Sequence, residues 1–466
     1  MFSDKEPIMI NRRNFLKASL ASSFAGVGAL DISQNSAFAN VRPNDFKTLV
    51  CVFLNGGNDS FNMLMPNTLA EYNSYARSRQ GLEHERSALL PISPRGLGSN
   101  IFGLHPGMSA LQNMFADGDA SLITNIGGLV QPTTKADINN GSAILPTGLG
   151  GHNSGQSYAL GDHDNSIRNS TQDGIGGRLA IEFENNSALP INISVGSGFT
   201  LFSSHNEERF YSIPRSGIIR MHDYNIDDGR FNRTAFTARR AALEELNSIG
   251  SSDQNLFLKH SSDLMTDGIN LSFEVQRLIS DIPPLNTQFS NNNTSRALSR
   301  AAELISIREE LDMRRQIIFI EVPGFDTHDN LRAFHDPAME SLSNSLAEFN
   351  QAMKEIDMHS SVLSYTGSDF GRTLTSTGNG TDHAWGGNEI LMGGAIKGGE
   401  LFGTFPSLEL DSDDDYRGDG RMIPTTSITQ HAATIAKWFG VPESRLSEVL
   451  PNIGNFSGNE DLGYFA

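Results

Sequence analysis

The chain has 466 residues and a formal net charge of −19 at pH 7, with 54 acidic residues against 35 basic ones. A surface this acidic repels phosphate backbones and anionic lipids, which excludes nucleic acid and anionic membranes as partners. Cys51 is the one cysteine, so an internal disulfide is excluded and the fold must be stabilised by its core.

The first predicted element is an export signal at residues 1–39. Arg12 and Arg13 begin a basic stretch that precedes an apolar run at 18–30. That run is too short and too weakly hydrophobic to be a stable membrane anchor, and small residues up to Ala39 offer a cleavage site. Paired arginines before Phe-Leu-Lys are typical of a twin-arginine signal. They predict export by the twin-arginine translocase, cleavage by signal peptidase and a periplasmic or extracellular location. The alternative is an N-terminal amphipathic helix or a disordered tail.

After the signal, short apolar runs rich in β-branched residues alternate with longer segments of helical periodicity. This alternation predicts an α/β fold with a largely parallel sheet. The predicted strands lie at 49–54, 121–126, 316–322 and 361–366. The predicted helices lie at 106–115, with Pro106 as the first helical residue, and at 296–313, 339–356 and 427–439. Polar, helix-leaning sequence at 199–294 interrupts the rhythm and predicts an insertion or cap.

Two predicted strands lead into acidic residues. The strand at 49–54 is followed by Asn-Gly-Gly-Asn-Asp-Ser, in which two glycines permit a sharp turn that presents Asp59 at the sheet edge. The strand at 316–322 is followed by Asp326 and His328, a carboxylate and an imidazole two residues apart. This pair suits a zinc-like or manganese-like ion better than calcium, which prefers oxygen ligands alone. Helix capping by each Asp and a solvent-facing His remain alternatives.

The pattern repeats further along the chain. The strand at 361–366 leads to Asp369 and Arg372, and a glycine-bracketed loop at 380–387 contains His383. Taken separately, the first segment could be a helix cap in which Arg372 pairs with Asp369. The loop at 380–387 could be a glycine-rich surface turn. Taken together, acids and imidazoles gather at the carboxyl ends of strands, where open α/β sheets place their sites. The repeated pattern favours a functional site.

Five motifs, in order along the chain, resemble the bacterial family called domain of unknown function 1501: 56–59, 324–328, 368–372, 380–383 and 394–406. That family is similar in fold to the alkaline phosphatase and sulfatase superfamily. The resemblance implies a single domain at 40–466, built as a three-layer sandwich with a mostly parallel central sheet flanked by helices. It also implies one or two divalent metal ions, of zinc, manganese, magnesium or calcium. The metal ligands that it implies are Asp59, Asp326, His328, Asp369 and His383.

The chain departs from the superfamily at two points. The superfamily has a histidine directly after the acid that corresponds to Asp369, whereas this chain has Phe370. One ligand is therefore missing there, and either His383 or Asp382 replaces it or a single ion binds.

The second departure concerns the nucleophile, which the superfamily places at a helix start after its second core strand. The resemblance points to residues 151–157, where Ser154 is the candidate nucleophile, activated by metal coordination. His152 and Gln156 are candidates for contact with substrate or metal. A Gly/Ser/Asn-rich loop without chemistry is the alternative.

Two functions fit these observations. The first is a metal-dependent hydrolase that acts outside the cytoplasm on a small-molecule phosphate or sulfate ester, with Ser154 or a water as nucleophile and Arg372 offsetting developing negative charge. The second is a non-catalytic binding or envelope-assembly protein that retains the hydrolase fold. The missing histidine after Asp369 and the uncertain nucleophile favour the second function. Convergence of the named side chains on a pocket open to solvent would favour the first.

Overall fold

The computed structural model describes residues 45–161, 173–183, 185, 187–196, 201–203, 210–215, 233–252, 254–458 and 460–465. The signal predicted at 1–39 therefore lies outside the described residues.

The described strands are β1 (Lys47–Asn55), β2 (Leu64–Pro66), β3 (Leu90–Ile92), β4 (Phe102–Leu104), β5 (Ala120–Gly127), β6 (Asn192–Val195), β7 (Phe210–Ile213), β8 (Arg315–Pro323), β9 (Val362–Ser368), β10 (Gly387–Met392), β11 (Leu401–Phe402) and β12 (Thr426–Ser427).

The described α-helices are α1 (Leu69–Arg79), α2 (Ser109–Asp117), α3 (Lys135–Asn140), α4 (His152–Gly161), α5 (Ile175–Ala180), α6 (Arg233–Ser252), α7 (Leu256–Asp281), α8 (Asn293–Ser306), α9 (Leu331–Glu355), α10 (Ile428–Phe439) and α11 (Leu446–Val449).

A large sheet forms the centre of the fold, with the strand order β11-β5-β10-β9-β1-β8-β6-β7 and with β12 also paired to β5. β1 is parallel to both of its neighbours, β8 and β9. β10 runs antiparallel to β5 and β9. The four strands predicted from the sequence are confirmed as β1, β5, β8 and β9, and the sheet is mostly parallel as expected. A small antiparallel sheet, β2-β4-β3, lies apart from it.

Helices flank the central sheet, as predicted. Side chains alternate across β1, so Leu49, Cys51 and Phe53 share one face and join a buried apolar cluster with residues of α4, α5 and α10. Val50 and Val52 are also fully buried and point to the opposite face. A strand that is apolar on both faces is what a parallel sheet covered on both sides requires.

Three helix starts differ from prediction by three residues or more: those of α2, α8 and α9. α8 (Asn293–Ser306) starts before the predicted 296 and ends well before the predicted 313. α2 begins at Ser109 with Met108 as its N-cap, so Pro106 lies in the preceding turn and is not the first helical residue. α9 begins at Leu331, well before the predicted 339, and continues through Pro337. Pro337 removes one backbone donor from the second turn, but the long helix that follows packs against α8 and α2. Tertiary packing thus outweighs the local signal that would have ended the helix.

Helices α6 and α7 pack on each other as a hairpin, in a compact unit separate from the sheet. Within this hairpin the guanidinium of Arg240 lies 5.8 Å from the centre of the Phe273 ring. The insertion predicted at 199–294 contains the hairpin, and it also spans β7, which belongs to the central sheet. The role of this segment as a cap stays a prediction. Among the described helices, none combines the length and apolar character needed to cross a bilayer.

Candidate functional site

Three parallel strands end beside one another and bring their following loops together. Asn55, the last residue of β1, is opposite Pro323, the last residue of β8, and β9 ends alongside them. The loop after β1 passes close to the loop after β8 at Gly56, which has a φ of 120°. A Cβ at Gly56 would lie 2.3 Å from the backbone nitrogen of Asp326. Glycine is therefore needed both for the backbone conformation and for the close approach.

Three histidines surround the carboxylate of Asp326 at this edge. Its Oδ1 lies 3.0 Å from Nε2 of His328 and 3.1 Å from Nε2 of His383, and its Oδ2 lies 3.5 Å from Nε2 of His152. The Nε2 atoms of His328 and His383 are 2.9 Å apart. We refer to these four residues as the histidine–aspartate cluster. The potential metal ligands here form two groups that share His383: His152, Asp326 and His383 in one, and His328, Asp382 and His383 in the other, with the ligand atoms of each group within 4.8 Å of one another.

The hydrogen bonds of the other ring nitrogens fix two of the histidine tautomers. Nδ1 of His383 lies 2.7 Å from the carbonyl oxygen of Gly150, which can only accept a hydrogen bond. Nδ1 of His152 lies 2.8 Å from Oδ2 of Asp369. Both Nδ1 atoms therefore donate, so in a ring that carries a single proton the lone pair of Nε2 faces Asp326. Lone pairs that converge on a carboxylate repel one another unless a cation or a proton lies between them.

Asp369 lies behind His152. Its carboxylate is buried and accepts hydrogen bonds from the backbone N–H of Gly56, at 2.9 Å, and from His152. Burial raises the pKa of Asp369, although the hydrogen bond from His152 lowers it in part. A carboxylate that holds Nδ1 of a metal-binding histidine is a common supporting arrangement. In the structure Nε2 of His152 faces Asp326, and Asp369 lies behind His152 as its hydrogen-bond partner.

Arg372 is buried and holds the loop in place. Its guanidinium donates to the carbonyl oxygens of Gly56, Gly57 and Thr381 at 2.6–2.8 Å, and also to Asp326. Burial raises the pKa of Asp326, but the hydrogen bond and the positive charge of Arg372 outweigh this effect and lower it to about 2. Asp326 is therefore ionised at neutral pH. Arg372 was expected to face a reacting group, and the structure instead commits all of its described hydrogen bonds to the protein.

Asp59 lies outside the cluster. Its Oδ2 is 2.5 Å from Nη2 of Arg79, and both side chains are fully buried. The turn after β1 folds back on itself through a hydrogen bond from the N–H of Asn62 to the carbonyl oxygen of Asp59. Asp59 belongs to none of the groups of potential metal ligands among the described residues. Its partner comes twenty positions later, on α1, and no local motif indicates that pairing.

Ser154 is also directed elsewhere. It lies in the first turn of α4, two residues after His152, and side chains two apart on a helix do not share a face. Its Oγ lies against Gly148, where a Cβ would come within 2.4 Å of it. In the described part of the chain, Ser154 is not hydrogen-bonded to any member of the histidine–aspartate cluster.

Asp382 and Arg421 extend the site in a way that the motifs only partly indicated. Oδ1 of Asp382 lies 3.9 Å from Nδ1 of His328, and its Oδ2 accepts from Nη2 of Arg421 at 2.8 Å. Arg421 also donates to the carbonyl oxygen of His383 at 2.9 Å. Asp382 was considered only as a replacement ligand. Arg421 was missed, because it lies far along the chain in a loop without a strand before it.

A second group of potential ligands, His84, His105 and Asp336, does not have the hydrogen-bonding pattern of a metal site. Nδ1 of His105 accepts the N–H of Gly107 at 3.0 Å, so Nε2 carries the proton and donates to Asp336 at 3.1 Å. Asp336 also accepts from Arg332 on the same helix, at 3.0 Å. Burial lowers the pKa of His84 to about 3, which keeps that ring neutral. This group is a hydrogen-bonded connection between α9 and the small sheet.

Comparison with known families gives one match. A family model described as "Protein of unknown function (DUF1501)" matches residues 46–419. The resemblance inferred from the five motifs is thereby confirmed. A search of curated proteins finds no significant match.

Solved structures similar to this chain include a periplasmic domain, a sulfatase and a protein of the alkaline phosphatase superfamily. The zinc complex of the C-terminal periplasmic domain of EcEptC from Escherichia coli is 9% identical, with 87% of this chain and 85% of that chain covered and a TM-score of 0.36. The PsFucS1 sulfatase from Pseudoalteromonas sp. is 11% identical, with 97% and 77% covered and a TM-score of 0.35. A protein of the alkaline phosphatase superfamily from Vibrio parahaemolyticus is 9% identical, with 91% and 75% covered and a TM-score of 0.34. Likeness at this level assigns no role to any residue.

Proposed function

Since the chain belongs to the DUF1501 family, we propose that this family member is an exported, metal-dependent hydrolase of phosphate or sulfate esters. One observation carries the proposal: the Nε2 atoms of His152, His328 and His383 converge on the ionised carboxylate of Asp326 at the carboxyl edge of the sheet. The ester class rests on the resemblance of the motifs to those of the alkaline phosphatase and sulfatase superfamily.

The donor atoms fit a divalent metal ion. Three imidazole nitrogens and one carboxylate are a ligand set that zinc accepts and that calcium and magnesium, which prefer oxygen, do not favour. His152, Asp326 and His383, which form one group of potential ligands, would hold the ion, with His328 beside His383 as the fourth ligand. When bound, such an ion polarises an ester oxygen and lowers the pKa of a water. Asp326 and His328 are each more than 40% exposed in their side chains, so water and a substrate can reach the cluster.

The surrounding residues of the chain orient the ligands. Asp369 fixes the tautomer and direction of His152, and the carbonyl of Gly150 does the same for His383. Arg372 keeps Asp326 ionised and joins it to the loop after β1. Because Ser154 faces Gly148, the nucleophile that this geometry supports is a water and not the serine.

Export is part of the proposal and rests on the sequence at 1–39. The partners it implies are the twin-arginine translocase and signal peptidase. A site of three histidines and one carboxylate binds several transition metals. Its affinity for each metal follows the intrinsic order of the metals, whichever metal the protein uses. Folding in the cytoplasm, where the available metal is controlled, gives a reason for export in the folded state.

The test is metal analysis of the protein purified without added ions, followed by assays on p-nitrophenyl phosphate, p-nitrophenyl sulfate and bis(p-nitrophenyl) phosphate. We expect about one equivalent of a transition metal per chain, and loss of that metal together with turnover in His383→Ala and His328→Ala. Asp369→Asn should retain the site but weaken metal affinity roughly 10–100-fold, as the loss of a supporting carboxylate does. Absence of both metal and turnover in the folded wild-type protein would refute the proposal.

One observation favours the non-catalytic alternative. The candidate nucleophile Ser154 is not directed at the histidine–aspartate cluster, and Phe370 stands where the superfamily has a histidine. A protein that binds one equivalent of metal and hydrolyses none of the three esters would be assigned to binding or envelope assembly instead.

A further inference from the structure

Arg215 lies at the same edge of the central sheet as the histidine–aspartate cluster. It follows β7, two residues after Ile213, and its side chain reaches past the end of β6 to β8. β6 pairs with β8 only as far as Val195, which is opposite Ile320. The carbonyl oxygen of the following residue of β8, Glu321, accepts a hydrogen bond from Nη2 of Arg215 at 2.8 Å. The guanidinium therefore lies beyond β6, at the carboxyl ends of the strands.

The residue after β6 leaves room for this side chain. Gly196 has a φ of 87°, and a Cβ added there would lie 2.5 Å from Cγ of Arg215. Glycine is therefore needed at this position both for the backbone conformation and for the close approach. A larger residue would displace Arg215 from the edge of the sheet.

Arg215 has no carboxylate partner in the part of the chain that the structure describes. Its side chain is half-buried, and one of its five N–H donors is used by the carbonyl oxygen of Glu321. The carboxylate of Glu321 instead accepts a hydrogen bond from Asn55 on β1. Arg372 and Arg421 differ from Arg215, because each is paired with a carboxylate of the protein. A half-buried guanidinium with unused donors favours an anion as its partner.

A series of hydrogen bonds connects Arg215 with the cluster. Glu321 binds both Arg215 and Asn55, and Oδ1 of Asn55 accepts from Nε2 of Gln156 at 3.3 Å. Gln156 lies one helical turn after His152 on α4, so the two side chains share a face. Neighbouring strands are about 4.8 Å apart, and the series spans β8 and β1. The guanidinium of Arg215 and the imidazole of His152 are therefore roughly 10 Å apart.

The surface between Arg215 and Asp326 is open and uncharged. Pro323 and Gly324 form it, and both residues are exposed. A Cβ added at Gly324 would meet nothing within 4 Å. A molecule bound at the cluster can therefore extend over these two residues as far as Arg215.

We propose that the substrate carries a second oxyanion, of the carboxylate or sulfate type, which Arg215 binds at roughly 10 Å from the histidine–aspartate cluster. This inference rests on the proposed function and adds a requirement to its substrate. The ester group is placed at the cluster, and the second anionic group is separated from it by a spacer about as long as two rings.

The test compares anions on the metal-containing protein by isothermal titration calorimetry. The ligand p-biphenylsulfonate offers one anionic group to the cluster, and p,p′-biphenyldisulfonate adds a second at the far end of the same frame. We expect the disulfonate to bind about tenfold more tightly, the size of one charge-assisted hydrogen bond. A carboxylate in place of the second sulfonate shows which of the two oxyanions Arg215 prefers, and a gain with either one supports the inference.

Variants of Arg215 assign the gain to this side chain. Arg215→Gln should remove the difference between the two sulfonates, and Arg215→Lys should retain part of it, because lysine keeps the charge without the planar guanidinium. Arg86→Gln is the matched control and should keep the full difference. Arg86 also donates to one backbone carbonyl, that of Asn67 at 2.9 Å, but it lies before β3 of the small sheet. Thermal melting checks folding, and Arg215→Met, which keeps the aliphatic stem, replaces Arg215→Gln if that variant unfolds.

The possible outcomes separate this inference from the proposed function. Equal affinity for the two sulfonates in the wild type, or a difference that persists in Arg215→Gln, would overturn the inference and leave the proposed function intact. A metal-containing protein that prefers the disulfonate through Arg215 but hydrolyses no ester would overturn the hydrolase and keep the second anion site. Absence of metal from the folded protein would overturn both.

Discussion

At the scale of single residues, Asp59 is paired with Arg79 and lies apart from the histidine–aspartate cluster. Both side chains are fully buried, and Nη1 of Arg79 also donates to the carbonyl oxygen of Thr373 at 3.1 Å. The pair therefore connects the turn after β1, helix α1 and the loop after β9. Removing one partner of a buried pair leaves an uncompensated charge, which costs about 3–5 kcal/mol.

Asp59→Ala should accordingly lower the free energy of unfolding by about 3–5 kcal/mol and leave the metal content of the folded protein unchanged. Urea denaturation and metal analysis measure the two effects. Asp326→Ala is the matched variant and should do the reverse, with loss of metal and a smaller loss of stability, since Asp326 is half exposed. If Asp59→Ala does not fold, the double variant Asp59→Leu, Arg79→Met replaces both charges. A folded double variant that has lost its metal would show that Asp59 is a ligand after all.

The sequence was informative about which residues meet, and less so about what each one does. Asp326, His328 and His383 were predicted ligands and lie together, because strand ends in a parallel sheet share an edge. The sequence did not indicate that Asp369 lies behind His152 as its hydrogen-bond partner, because the direction of an imidazole depends on which group its second nitrogen reaches. That group is set by the packing of α4 against β9, which residue spacing does not determine.

At the scale of elements, the site depends on how closely α4 approaches the end of β9. Gly155 of α4 faces the backbone of β9, and a Cβ there would lie 2.5 Å from the carbonyl oxygen of Asp369. Without this close approach, His152 at the start of α4 would not reach Asp369. Local periodicity predicted the strands well because burial on both faces leaves a clear apolar run. It predicted the start of α10 to within one residue but missed the first turns of α9, which continue through Pro337 and are positioned by contacts with other elements.

Gly155→Ala should therefore destabilise the protein by about 1–3 kcal/mol, the usual cost of overpacking, and should weaken metal binding by displacing His152. Thermal melting and competition with a chelator provide the two measurements. Gly268→Ala is the control, because Gly268 lies inside helix α7 and a Cβ there meets nothing within 4 Å. That variant should be neutral or stabilising by up to about 1 kcal/mol. Equal effects from the two variants would contradict the packing argument.

At the scale of the whole molecule, the dependence of stability on pH follows from groups whose pKa changes on folding. The pKa of Asp326 is lowered to about 2, so its contribution is present above its ordinary value of 3.8 and is lost as the pH falls toward 2. The pKa of Glu389 changes in the opposite direction on folding. It lines a cavity with Ile126 and Ile428, and burial raises its pKa from 4.5 to about 8. Its folded form keeps a proton that the unfolded chain releases.

Between pH 4.5 and about 8 the folded state therefore binds one more proton at Glu389 than the unfolded state does, and stability falls as the pH rises through this interval. Glu389→Gln removes the titrating group but keeps the volume, so its melting temperature should decline less from pH 5 to pH 8 than that of the wild type. The measurement is thermal melting at constant ionic strength, with a chelator present so that metal binding does not contribute. Glu409→Gln, at an exposed position, is the control and should follow the wild-type slope. Parallel profiles for wild type and Glu389→Gln would show that the Glu389 carboxyl is ionised in the folded protein.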